Sequence, residues 1–369
     1  MVYLDFSAST PLLTSVKTEL FRAFEEEYSN PSSIHKAGLA SAEKIELSRF
    51  NIADTIGAYP SEIIFTSGAS ESNNLAIKGY ALAHQHKGKH IITSGIEHKC
   101  VLSICNFLEQ EHGYSITYIK PQKDGIVDAD AVISAMREDT ILVSIMHVNN
   151  ELGTIQPIQK IGEACYQRNI KFHVDAAQSF KKIFINVDEL NIDFLSISAH
   201  KIYGPKGIGA LYIRDKREVK LQPLIHGAGQ ESNLRGGTLA TPLILGFGVA
   251  TTDQTLEENY IQIGLISSYL KNKIKELGWK LNSPEINTIP HIVNFTVPTL
   301  KTQIYIPNAN VYCSNGSACS SLNIEVSHVL KAIGLSNDEG LSSIRVSLGI
   351  NSKKEDIDML IFSLKNFLN

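Results

Sequence analysis

The chain has 369 residues, 43% of them hydrophobic and 20% charged, with a formal net charge of −4. That length exceeds one small core and predicts a large domain with a smaller companion. The weak negative charge excludes a general pull toward nucleic acid or anionic membrane, and no apolar run approaches the roughly 20 residues of a spanning helix.

From about residue 60 to residue 213, short β-rich runs alternate with helical stretches. The predicted strands are Ile63–Thr66, His90–Thr93, Ile116–Ile119, Ile141–Met146, Lys171–Val174, Phe194–Ile197 and Ala210–Ile213. Between them, apolar residues recur at three- and four-residue spacing, as at Ile158, Ile161, Ala164 and Cys165. Strands alternating with helices predict an α/β domain around a mainly parallel sheet covered on both faces. Ligands of such sheets collect at the carboxyl ends of the strands. Beyond residue 240 a long helical stretch ends near Gly278, and strand, helix, strand and helix follow. This predicts an N-terminal segment over 1–20, a large domain over 21–255 and a small α+β domain over 256–369, with the first segment packed on the last. Gly246-Phe247-Gly248 reads as helix packing, and His84-Gln85-His86 as a solvated helix end rather than a metal pair.

The chemistry-bearing residues fall just after predicted strands. Ser67-Gly68-Ala69-Ser70-Glu71 follows the first strand and opens a helix, where small residues let backbone amides approach an anion. Without a Gly-rich dinucleotide signature or a Walker lysine, one phosphate is the expected ligand, although Ser70 alone also suits a plain N-cap. His98, Asn150 and Asp175 occupy three further strand ends. Asp175 suits either a helix cap or a carboxylate for a heterocyclic nitrogen. Lys201 follows the strand Phe194–Ile197 in a turn rich in glycine and proline. A part-buried lysine there loses proton affinity and becomes an amine nucleophile, the chemistry of Schiff bases. A surface lysine is the plain alternative.

A Schiff-base lysine, a phosphate cradle and an Asp for a ring nitrogen together describe pyridoxal 5'-phosphate. At this point the chain resembles the class V, fold-type I pyridoxal-phosphate enzymes, and within them the NifS/IscS family of cysteine desulfurases. The resemblance runs nearly end to end. It rests on Tyr3-Leu4-Asp5, Asn30-Pro31-Ser32-Ser33-Ile34-His35, Thr66-Ser67-Gly68-Ala69-Ser70-Glu71-Ser72 and Glu97-His98-Lys99. It continues through Val148-Asn149-Asn150-Glu151-Leu152-Gly153, His173-Val174-Asp175 and Ser198-Ala199-His200-Lys201. It ends with Arg235-Gly236-Gly237-Thr238, Gly316-Ser317-Ala318-Cys319 and Ser343-Ile344-Arg345-Val346-Ser347.

The resemblance implies a role for each matching residue. Lys201 would carry the cofactor as a Schiff base, Asp175 would pair with the ring nitrogen, and Gln178 would bond the phenolic oxygen. His98 would stack on the ring and move protons, and Asn150 would lie beside cofactor and substrate. Ala69, Ser70, Ser198 and His200 would bind the phosphate, and Thr238 would reach the phosphate of a neighbouring subunit, implying a homodimer with shared sites. Arg345, assisted by Asn30, would clamp the carboxylate of L-cysteine.

The five cysteines (Cys100, Cys105, Cys165, Cys313 and Cys319) are odd in number and irregularly spaced. They argue against a disulfide framework and, with no secretory signal at the start, predict a reducing, cytoplasmic location. Cys319 sits among small polar residues that read as an exposed loop. By its own features it is as well read as a free structural thiol; by the resemblance it is the nucleophile that takes sulfur as a persulfide and leaves alanine. Cys313 reads as strand packing. The persulfide would go to an acceptor protein for iron–sulfur clusters, tRNA thiolation or thio-cofactors. Related readings are a selenocysteine lyase or an aminotransferase, which needs no thiol, and a low-turnover sulfur carrier. Two departures stand out. Ser70 replaces the family's usual threonine, and Leu300–Asn308, with Pro307, predicts no regular helix. No extension follows the last predicted helix, so the sulfur acceptor is left open.

Overall fold

The computed structural model describes residues 2–216, 218–316 and 325–368. Strand β1 (Val2–Tyr3) opens the described chain, and seven strands then build the main sheet. They are β2 (Ile63–Thr66), β3 (His90–Ser94), β4 (Ser115–Ile119), β5 (Thr140–Ser144), β6 (Lys171–Asp175), β7 (Phe194–Ser198) and β8 (Gly209–Ile213). Their spatial order is β2-β8-β7-β6-β5-β3-β4, and only β8 runs antiparallel to its neighbours. Every residue of β2, β3, β5, β7 and β8 is buried, as a sheet covered on both faces requires. The edge strand β4 instead exposes Ser115 and Tyr118. The reading of a mainly parallel α/β sheet holds.

The remaining strands are β9 (Lys280–Leu281), β10 (Ile292–Thr296), β11 (Val311–Tyr312) and β12 (Ser343–Ser347). They form an antiparallel sheet β12-β10-β9 and a parallel pair β1-β11. The first residues of the chain thus complete structure built by its last sixty. No helix among the described residues is long and apolar enough to cross a membrane.

Two expectations need correction. Thr302–Asn308 is helical despite Pro307. Burial of Tyr305, whose hydroxyl reaches Ser363 at 3.0 Å, and a 2.6 Å bond from Thr302 Oγ1 to the Leu341 carbonyl fix this turn. Pro307 lies in the last turn, and the Asn308 side-chain amide gives the Ile304 carbonyl a donor at 2.8 Å. His84 is buried rather than solvated, with Nδ1 3.0 Å from the Tyr80 carbonyl and its ring stacked 4.2 Å from that of Tyr80. The glycines at 246 and 248 do serve packing, since a Cβ at either would press on Leu20 or Ser48.

A row of buried polar side chains ties the middle of the sheet together. His173 joins Ser144 of β5 (2.8 Å) to Ser196 of β7 (3.0 Å), and His90 joins Thr140 (2.7 Å) to Thr117 (2.8 Å). Burial pushes His173 down to about 4, so the folded protein keeps it neutral where an unfolded chain would take up a proton. The stability it protects is full above about pH 6.5 and is lost as pH falls toward 4. Urea titrations across that window should show a falling midpoint. His173→Gln should remove about 1.4 kcal/mol per pH unit from the slope, and an unchanged slope would contradict the assignment.

Candidate active site

Five strand ends converge on one cavity of about 580 Å³. After β2, Gly68 takes φ +149°, a conformation that favours glycine, and starts the helical run from Ala69 to His84. Gly209 packs against it: a Cβ there would lie 2.7 Å from Gly68 Cα and 2.5 Å from the Ile197 carbonyl oxygen. Gly68, not Ser70, is the N-cap, and no side chain caps it. Backbone amides at this end therefore face the cavity lined by Gly68, Ala69 and Ser70.

After β3, His98 caps the helix Lys99–His112 with its own ring, since Nδ1 accepts from the Cys100 N–H at 3.2 Å. Desolvation, partly opposed by Asp175, lowers its proton affinity. Beneath it Glu97 is buried; Oε1 accepts from Ser94 Oγ (2.6 Å) and the Met146 N–H (3.0 Å), tying the loops after β3 and β5 together. Burial pushes Glu97 up to about 8. After β5, Asn149 Oδ1 accepts from the N–H groups of Glu151 and Leu152, both at 2.9 Å. That turn presents Asn150 to the cavity.

Asp175 is a cap, as one of its sequence readings expects, and its second oxygen lines the cavity held by an amide. Oδ1 caps the following turn through the Ala177 N–H (3.0 Å), and Oδ2 accepts from Asn73 Nδ2 (2.8 Å). Lys201 ends the short turn Ala199–Lys201 after β7, and its Nζ donates to the carbonyls of Ser7 (2.6 Å) and Ala8 (2.8 Å). Arg345 of β12 is 1% exposed; Nη2 donates to Asp5 (2.7 Å) and Nη1 to the Asn150 carbonyl (2.9 Å).

The cavity thus gathers Ala69, Ser70, His98, Asn150, Asp175, Gln178, Ser198, His200, Lys201 and Arg345. Asn30 and Thr238 are exposed and do not line it. Cys319 lies outside the described residues. On either side of it, Glu151 accepts from Ser327 Oγ and stands beside Gly316. Sequence reasoning missed Asn73, Cys100, Lys206, the carbonyls of Ser7 and Ala8, and Asp5 as the partner of Arg345. Lys206 was within reach, five residues after Lys201 in the same glycine-rich run. The contacts of Ser7, Ala8 and Asp5 span 193 to 340 residues and leave no local signal. Burial pushes Cys100 and Cys313 up to about 12, so both thiols stay protonated near neutrality.

The sequence pattern of the aminotransferase class-V family matches residues 2–360, and the chain belongs to that family. It is 45% identical to a cysteine desulfurase IscS of Dictyoglomus turgidum, over 100% of this chain and 94% of the relative. Among solved structures, SspA in complex with cysteine superposes with a TM-score of 0.85 at 44% identity, covering 96% of this chain and 100% of that one. A NifS-like protein superposes at 0.90 with 34% identity, covering 99% and 98%.

Asp5 is the carboxylate that neutralises the buried Arg345. Asp5→Ala should cost about 3 kcal/mol, because removing one partner leaves a buried charge unpaired. Asp5→Ala combined with Arg345→Met should recover part of that loss in urea denaturation. Additive losses would contradict the coupling.

Proposed function

We propose that the chain is a cysteine desulfurase that uses pyridoxal 5'-phosphate on Lys201 to move sulfur from L-cysteine to Cys319, leaving L-alanine. The observation that carries this reading is the convergence of Lys201, Asp175, His98 and Arg345 on one cavity. The residues fit the cofactor. Among the described residues, Gln178 Oε1, Asn73 Oδ1, Ser7 Oγ and Arg345 Nε are buried without a partner, and all four belong to side chains lining the cavity. Buried polar groups are normally satisfied, so this set calls for a polar occupant. Ala69 and Ser70 offer backbone amides for a phosphate, with Ser198, His200 and Lys206 beside them.

When bound, the cofactor withdraws electrons from the substrate's Cα and so labilises the Cα proton and the carbon–sulfur bond. The protein's own groups do the rest. Asp175, oriented by Asn73, would hold positive charge at the ring nitrogen, and Gln178, whose Oε1 is unpartnered, would bond the ring hydroxyl. Lys201 would be the amine that takes the Cα proton. His98 is neutral at physiological pH and engaged through Nδ1, so its Nε2 exchanges protons. Arg345 would give a bidentate donor face to the substrate carboxylate, with Asn150 assisting; Asn30, outside the cavity, has no place in this step. The Cys319 thiolate then bonds to the substrate sulfur as the carbon–sulfur bond breaks; protonation of the carbon fragment yields alanine, and sulfur stays on Cys319 as persulfide.

Residues 21–255 serve as the cofactor domain and 256–369, with 1–20, as the smaller one; pairing of β1 with β11 supports that division. A homodimer is supported by the exposed apolar side chains Phe21, Phe24, Tyr28, Leu47 and Phe50, and by Thr238 standing outside its own cavity. Cytoplasmic residence is supported by the protonated buried thiols and absence of a disulfide among the described cysteines. The persulfide then passes to an acceptor protein.

With pyridoxal phosphate, L-cysteine and a reductant, the purified protein should release sulfide and alanine in equal amounts. Cys319→Ser should abolish sulfide while the cofactor stays bound. Sulfide release by Cys319→Ser at the wild-type rate would overturn the reading.

A further inference from the structure

Lys201 faces two opposed demands. The Ser7 and Ala8 carbonyls, at 2.6 and 2.8 Å, stabilise its ammonium form, whereas a nucleophile and base must release that proton readily. A counterweight lies behind it. Lys201 shares a second cavity, of only about 10 Å³, with Lys182, His291, Thr10 and Tyr260, walled by Phe6, Leu256, Ile263 and Leu348. Such a space admits at most one water, so charges across it are poorly screened.

Lys182 is part-buried as a residue, and its ammonium end is the buried part, 3.5 Å from Nε2 of His291. His291 itself is 4% exposed. The adjacent Lys181 pairs with Glu257, whereas Lys182 points toward His291. Its position and its lowered proton affinity, to about 7 through burial and then through the charge of Lys201, agree with strong mutual repulsion.

We propose that Lys182, seated on His291, is a positioning residue that acts through Lys201: while it is protonated, its charge across the narrow cavity lowers the proton affinity of the Lys201 nitrogen. Among the described residues, the two cavities beside Lys201 carry several further titratable groups. His98 and His200 are held toward the neutral form by burial, and burial pushes Tyr260 upward. Asp175 and Glu71 line the main cavity on the opposite side, together with Lys206 and Arg345, and Arg345 is matched by Asp5. Lys182 therefore supplies the positive charge on the apolar side.

This inference rests on Lys201 carrying the cofactor, and the test separates the two. The full-length holoprotein is titrated upward from mildly acid pH, through the range in which Lys182 keeps its proton, while the visible band of the bound cofactor is followed. Lys182→Met and Lys182→Gln should each move the midpoint upward by about one pH unit, a tenfold change in the proton equilibrium. Lys182→Arg, which keeps the charge, should leave it at or below the wild-type value. Loss of packing alone would not move the midpoint in one direction for both neutral variants and restore it with arginine. Unshifted midpoints in both neutral variants would overturn the proposal while leaving the cofactor assignment intact. A band that does not titrate would overturn the proposal alone, and a wild-type protein that shows no cofactor band when loaded would overturn that assignment and the proposal with it.

Discussion

The short segment Asp5–Thr10 is the constraint on which the site depends. It runs between the strand ends of the main sheet and β12, and it bonds to both. Asp5 pairs with Arg345, and the Ser7 N–H donates to Ser347 Oγ at 2.8 Å. On the other side the Ser7 carbonyl accepts from Gln178 and Lys201, and Thr10 bonds the His200 carbonyl and accepts from the Tyr203 N–H. A single turn-containing stretch thus fixes the spacing between the amine at Lys201 and the guanidinium at Arg345. The carbonyls of Ser7 and Ala8 are spent on side chains rather than on a sheet ladder, which matches this stretch to those partners.

The parallel sheet supplies the other half of the geometry. Because β2, β3, β5, β6 and β7 point the same way, their carboxyl ends deliver five loops to one edge. Each loop is then stiffened by its own local device: a ring cap at His98, an Asn turn at Asn149, a carboxylate cap at Asp175. These devices also hold polar atoms that burial would otherwise penalise. Four of the buried side-chain atoms left without partners among the described residues belong to the cavity lining, where an occupant meets them.

The strands and the cofactor edge were legible because fully buried strands produce continuous apolar runs, and the residues after them stand out as polar interruptions. Lys201, Asp175 and His98 could be read in this way. The helix at Thr302–Asn308 was not, because its stability comes from burying Tyr305 and from Asn308 replacing a missing donor, neither of which local propensity records. His84 looked solvated beside Gln85 and His86, yet its stacking on Tyr80 decides its place. Lys182 was equally opaque, since two adjacent lysines look like a charged surface until the backbone turns one toward Glu257 and the other toward His291. Long-range partners such as Asp5 and Arg345, 340 residues apart, emerge only from the folded chain.

The central claim is that one amine, Lys201, is placed by this framework to hold the cofactor. Borohydride reduction of the protein loaded with pyridoxal phosphate, followed by mass mapping of its peptides, tests it most directly. The account predicts a phosphopyridoxyl group on Lys201 and none on Lys182 or Lys206, which stand nearby. A label on either of those lysines in place of Lys201 would contradict it.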